Sequence, residues 1–105
     1  MEEKFKVRRH VVFDAWFKSL EKRDSSSYDL IYQRFVRIEM TGHLGDCRHV
    51  GDGVWELRFH FGAGHRVYYI LRGKDIILLL CGGVKTGQSR DIELAKRLAR
   101  EVRNG

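Results

Sequence analysis

Apolar positions recur with two different periods along the chain. Phe13, Trp16, Phe17 and Leu20 stand at i, i+3, i+4 and i+7, the spacing of an amphipathic helix. The preceding run Phe5-Lys6-Val7-Arg8 alternates and predicts a short strand. Arg23-Asp24-Ser25-Ser26-Ser27 interrupts the helical pattern. Ser26 followed by Asp29 has the form of a capping box, so a second helix is expected to start there. Ile31, Phe35 and Ile38 mark its apolar stripe, and Thr41-Gly42 ends it, because Gly42 can take the left-handed conformation at a helix C-terminus. A short linker between two such helices predicts an antiparallel helical hairpin.

From Asp46 onward the period falls to two. Asp46 to Val50 reads as a short strand and Asp52-Gly53 as a hairpin turn. Trp55, Leu57, Phe59 and Phe61 point one way, and Glu56, Arg58 and His60 the other. Gly62-Ala63-Gly64 turns the chain into a strand on which Arg66, Tyr68 and Arg72 share a face. After a turn at Gly73-Lys74, Ile76 to Leu80 is apolar on both sides, as in a strand covered on both faces. Turns this close make neighbouring strands antiparallel. Gly82-Gly83-Val84-Lys85-Thr86-Gly87 is expected to be a flexible loop. Ser89 is placed to cap a last helix, whose positive N-terminus suits Asp91 and Glu93. Ile92, Ala95, Leu98, Ala99 and Val102 form that helix's buried stripe.

The expected fold is therefore α+β, a single domain over residues 1–105. An N-terminal strand and helical hairpin, plus a C-terminal helix, pack on a curved, mainly antiparallel sheet. The polar face of that sheet is expected to carry Arg58, His60, Arg66 and Tyr68.

Composition narrows the classes. A chain of 105 residues with 43% apolar content can bury a core without metal or disulfide staples. No apolar run approaches the ~20 residues of a membrane span. Met1-Glu2-Glu3-Lys4 leads into no signal segment, so a cytoplasmic protein without membrane partners is expected. Cys47 and Cys81 read as reduced, packed thiols rather than a disulfide framework. Lys and Arg total 20 against 14 acids, a net +6 that favours a polyanionic partner.

If that partner is RNA, the substrate brings its own nucleophile, the 2′-hydroxyl. Cleavage then needs a base for that proton, cations for the charge on phosphorus, and an acid for the leaving 5′ oxygen. Arginine suits the second task because its planar fork grips phosphate and stays charged. Arg58 and His60 lie two apart on one strand, Arg66 and Tyr68 two apart on the next, and adjacent strands can bring the pairs to one phosphate. Lys85 adds a cation just past the central strand. His60 is nominated as the base on this geometry. Arg48, Arg72, Lys74 and Arg90 are expected to bind the RNA backbone. The bland alternative is an ordinary exposed strand face with surface ion pairs to Glu56 or Asp75, worth ~0–1 kcal/mol each.

Cys47 with His43, His49, His60 and His65 matches no closed four-ligand spacing, so no metal is expected. Gly82-Gly83 with Lys85-Thr86 lacks the spacing of a phosphate loop, and no cofactor is expected. Lys96, Arg97, Arg100 and Arg103 give the last helix a basic flank, which reads as a solvated face or as a track for an RNA backbone.

Three ordered motifs carry a family resemblance. They are Gly45-Asp46-Cys47-Arg48-His49-Val50-Gly51-Asp52-Gly53-Val54-Trp55-Glu56-Leu57-Arg58, then Gly62-Ala63-Gly64-His65-Arg66-Val67-Tyr68-Tyr69, then Leu79-Leu80-Cys81-Gly82-Gly83-Val84-Lys85 with Gln88, Asp91-Ile92 and Ala95. The chain resembles the addiction-module killer branch of the RelE/ParE toxins, near the HigB group. His43, His65 and Val84 depart from that branch's usual residues. The resemblance implies a bacterial toxin, a metal-independent endoribonuclease on messenger RNA, often at the ribosome. It implies Arg58, Arg66 and Lys85 as catalytic groups, with Tyr68 beside them. It further implies neutralisation by a helix-turn-helix antitoxin in a toxin–antitoxin hetero-oligomer. Two other readings stay open: a ParE-like gyrase inhibitor without nuclease chemistry, and a non-catalytic RNA-binding relic.

Overall fold

The computed structural model describes residues 4–105; the charged start at residues 1–3, read above as no signal segment, lies outside the described residues. The element order is β1 (Lys6–Arg9), α1 (Val11–Arg23), α2 (Ser25–Thr41), β2 (Cys47–Gly51), β3 (Val54–Arg58), β4 (His65–Arg72), β5 (Ile76–Val84) and α3 (Gln88–Asn104). The five strands form one sheet in the order β1-β5-β4-β3-β2. β1 runs parallel to β5, and every other neighbour is antiparallel.

The apolar stripes explain the layers. Phe13, Phe17 and Leu20 of α1 and Ile31, Phe35 and Ile38 of α2 bury against Leu57, Phe59, Val67, Tyr69, Ile77 and Leu79 on one sheet face. Ala95, Leu98 and Ala99 of α3 bury against Val54, Tyr68, Ile70 and Leu80 on the other. β5 is apolar on both sides because helices cover it on both sides. Glu39 of α2 accepts from the Val7 amide at 2.9 Å, which ties the helical hairpin to β1.

The local signals hold with two corrections. Asp52 and Gly53 both have positive φ, 55° and 74°, the conformation of a two-residue hairpin turn between β2 and β3. Gly42 ends α2 in the left-handed region with φ 76°, its amide donating to Ile38. The α2 cap, however, is Asp24 and not Ser26: Asp24 carboxylate oxygens accept from the Ser27 amide and hydroxyl at 3.2 and 2.6 Å. Asp24 alone separates α1 from α2, so the cap also makes the turn.

The second correction concerns the glycine segment. Gly82 and Gly83 are not loop; they extend β5 and pair with Val67 and Arg66 of β4. A Cβ at Gly82 would stand 2.5 Å from the Trp16 ring, and one at Gly83 would overlap the Asp91 carboxylate. These glycines therefore permit close packing from both sides of the strand. Lys85–Gly87 form a short 3-10 turn that runs directly into α3 with Gly87 as N-cap, so Ser89 sits inside the helix rather than capping it.

Candidate functional site

The β3–β4 ladder pairs Glu56 with Tyr68 and Arg58 with Arg66, while β2 sets Arg48 opposite Glu56. Pleating puts all five side chains on the face that α3 only partly covers. Glu56 is fully buried, and its Oε2 accepts from the Gln88 side chain at 2.6 Å. Its Oε1 lies 3.5 Å from Arg48 Nη2 and 4.0 Å from Arg66 Nε. Arg66 is almost sealed, and its Nη1 donates to the Phe59 and His65 carbonyls. Tyr68 is fully buried beside Glu56; burial, reinforced by the carboxylate, drives its pKa far above the usual phenol range. Glu56 Oε1, Arg58 Nε, Arg66 Nε and the Tyr68 hydroxyl are buried without a hydrogen-bond partner. Unpartnered buried polar atoms are costly, and four of them gather on this one face.

A second group continues the face past the end of β3. His60 Nε2 lies 2.5 Å from Asp46 Oδ2, and the same oxygen lies 3.9 Å from Arg58 Nε. The His60 hydrogen bond and then the Arg58 charge hold the Asp46 carboxyl below the usual range. Arg34 of α2 fixes this corner. Its guanidinium donates to the backbone carbonyls of Leu44, Asp46 and Arg58 and lies over the Phe59 ring at 4.5 Å. A Cβ at Gly45, whose φ is +78°, would come within 3.1 Å of that guanidinium.

Lys85 closes the group from the far side. Gly64, φ +74°, would set a Cβ 3.3 Å from Lys85 Cβ and 3.6 Å from Arg66 Nη1, so the Lys85 stem and the Arg66 guanidinium flank one turn. Lys85 and Arg48 are exposed and Arg58 is half-buried. Three cations of graded exposure thus surround the buried Glu56–Arg66 pair. Among the described residues no three His, Cys, Asp or Glu side chains gather as metal ligands.

Residues 15–100 match the profile of a family described as "Phage derived protein Gp49-like". The chain belongs to that Gp49-like family. An uncharacterised protein of Haemophilus influenzae is 36% identical to it over 96 residues, 91% of this chain and 94% of its relative.

In this Gp49-like chain the structure brings together Arg48, Arg58, His60, Arg66, Tyr68 and Lys85, but not in the expected open array. Arg66 and Tyr68 lie beneath the surface rather than on a solvent face. Tyr68 shares a core with Ala95, Leu98 and Ala99 of α3. Arg66 turns to the Phe59 and His65 carbonyls and to Glu56, which Gln88 holds. His60 stands beyond the last residue of β3, oriented by Asp46 rather than by the strand. Arg72 and Lys74 sit at the opposite end of β4, at its turn into β5, about six residues or 20 Å from Arg66. Arg90 is exposed on the first turn of α3, against Gly87. Sequence reading missed Asp46 and Gln88 as members of the site, and Arg34 as its brace. Alternation had placed Glu56 correctly on the Arg58 side, and a carboxylate there among arginines was the available signal. No helix is long and apolar enough to cross a membrane among the described residues.

Proposed function

We propose that this chain is the toxin of a toxin–antitoxin module, of RelE/ParE type, which cuts messenger RNA without a metal and is neutralised by a cognate antitoxin. One observation carries the reading. Arg58 and Arg66 are direct cross-strand partners, each with a buried Nε that lacks a hydrogen bond, beside the His60–Asp46 pair and Lys85. Membership of the Gp49-like family, one associated with toxins of such modules, supports the same reading.

The chemistry follows from the arrangement. A carboxylate only accepts hydrogen bonds, so Asp46 takes the Nε2–H of His60, and the base role falls to Nδ1. His60 Nδ1 then removes the 2′-hydroxyl proton, and the 2′ oxygen attacks phosphorus. Arg58 and Lys85 meet the added charge on the phosphoryl oxygens, and Arg66 supports it from below. Lys85 gives a proton to the 5′ oxygen as the bond to phosphorus breaks. The products are a 2′,3′-cyclic phosphate and a 5′-hydroxyl end. Tyr68 packs beside Glu56, and the Glu56 carboxylate is the counter-charge of Arg66 and Arg48, so neither Tyr68 nor Glu56 is given a contact with the substrate.

The burial of Arg66 favours a second reading, in which the Glu56–Arg66 pair is structural and the basic face binds RNA without cutting it. Induced expression in bacteria separates the two. The first reading expects growth arrest with fragmented messages, relief of both by Arg58→Ala, and co-purification with the product of a neighbouring short reading frame. Arrest with intact messages rejects it.

A further inference from the structure

β1 accompanies β5 only as far as Leu79, so the outer edge of Gly82–Val84 has no strand beside it. In an antiparallel strand half of the backbone N–H and C=O groups point away from a given neighbour, and here Gly82, Gly83 and Val84 line a cavity. That cavity has a volume of about 410 Å³, within the range of small-molecule sites, and is walled by α1 on one side and the start of α3 on the other. Trp16 lines it from α1 and Asp91 from α3, each packed against one of the two glycines of the floor. Arg23 and Arg90 stand at its rim.

Two features of these side chains are unexplained by packing. Trp16 is only partly buried although it stacks on Phe17, so part of its indole borders the cavity. Asp91 is partly buried with no side-chain hydrogen bond among the described residues; burial pushes its pKa up while Arg90 opposes this. A partly buried indole, an acceptor-only carboxylate, a bare strand edge and two rim cations are the parts of a single-stranded nucleobase pocket.

We infer that the Trp16–Asp91 cavity takes a guanine base of the RNA. The inference takes its substrate from the reading above and adds a specificity to it. Guanine alone presents two adjacent donors, N1–H and N2–H, to a carboxylate. Adenine and cytosine set a ring acceptor beside their single amine, and uracil flanks its N–H with carbonyls. The exposed part of the Trp16 indole borders the base from α1, and Arg23 and Arg90 meet the phosphates of that nucleotide. Gly83 is the register partner of Arg66, and Arg66 of Arg58, so the base lies across the sheet from the phosphate site and belongs to a nucleotide near the cut.

The test is a nuclear magnetic resonance titration of the whole nitrogen-labelled chain with guanosine, adenosine and uridine monophosphates. The Trp16 indole N–H is assigned by its loss in Trp16→Phe. Guanosine monophosphate should move that signal saturably. The isosteric Asp91→Asn should weaken guanosine binding about tenfold or more and adenosine binding by less than about twofold. Equal responses to the three nucleotides, parallel losses of all three in Asp91→Asn, or a silent indole overturn the inference. Because no cleavage is needed, guanosine selectivity in a chain that cuts no RNA sinks the nuclease reading and keeps the pocket. Cleavage with a silent indole does the reverse.

Discussion

Arg58 and Arg66 face each other across the β3–β4 ladder, yet the Arg58 side chain is 34% exposed and that of Arg66 only 5%. Two like charges at directly opposed positions repel each other, and the chain separates them by depth. Arg66 turns down toward Glu56 and the Phe59 and His65 carbonyls, while Arg58 turns out toward Asp46. In the proposed reading the outer arginine meets the phosphate, and the inner one supplies a fixed field beneath it.

Glu56 is the counter-charge that makes this possible. Glu56→Ala should cost about 3–5 kcal/mol, because Arg66 is left buried beside no carboxylate. Glu56→Gln keeps the shape and should cost less. Denaturant unfolding of the two variants checks the order; an alanine variant as stable as the parent contradicts it.

Gly82 and the Trp16 ring share one space. Gly82→Ala should lower stability by ~1–3 kcal/mol through overpacking, since its Cβ would come within 2.5 Å of the indole. Thermal melting reads this directly, and an unchanged melting temperature rejects the packing described for α1 on β5.

His65 should make the fold sensitive to mild acid. Burial holds its pKa below the ordinary 6.5, with the Asp24 charge opposing and Arg23 assisting. A lowered folded-state value means that the unfolded chain takes the proton first. Stability is then full above pH 6.5 and falls as pH drops below it. The depressed carboxyls Asp14, Asp24 and Asp46 act lower, losing their contribution only below their ordinary 3.8. Stability measured against pH should therefore fall in two windows, and His65→Phe should flatten the upper one.

The His60–Asp46 pair gives a fourth expectation. His60→Ala should slow RNA cleavage about 100-fold, and Asp46→Asn should slow it less while leaving the Arg34 bond to the Asp46 carbonyl in place. Equal rates for the parent and His60→Ala would move the base elsewhere.

Much of the fold was legible because its apolar periods are clean. The stripes of α1, α2 and α3, the Asp52-Gly53 turn and the doubly covered β5 all follow from local chemistry. Alternation also placed Glu56, Arg58, Arg66 and Tyr68 on one face. It could not reveal depth, because burial of Tyr68 depends on where α3 docks after a turn that sequence reading took for loose loop, and that of Arg66 on the Phe59 and His65 carbonyls it turns to. Gly82 and Gly83 read as flexibility when their real cause was the Trp16 ring on one side and Asp91 on the other. Asp46 was hidden for a related reason: its partners Arg58 and His60 are neighbours only through the fold.

End-group mapping of messenger RNA in a translating extract, with and without the purified chain, weighs the central claim most directly. New 5′-hydroxyl ends should appear with the parent chain and fall about 100-fold with Arg58→Ala, whose melting temperature should stay close to the parent's. Intact RNA with a folded parent chain, or equal cutting by Arg58→Ala, would contradict a cleavage centre at the paired arginines.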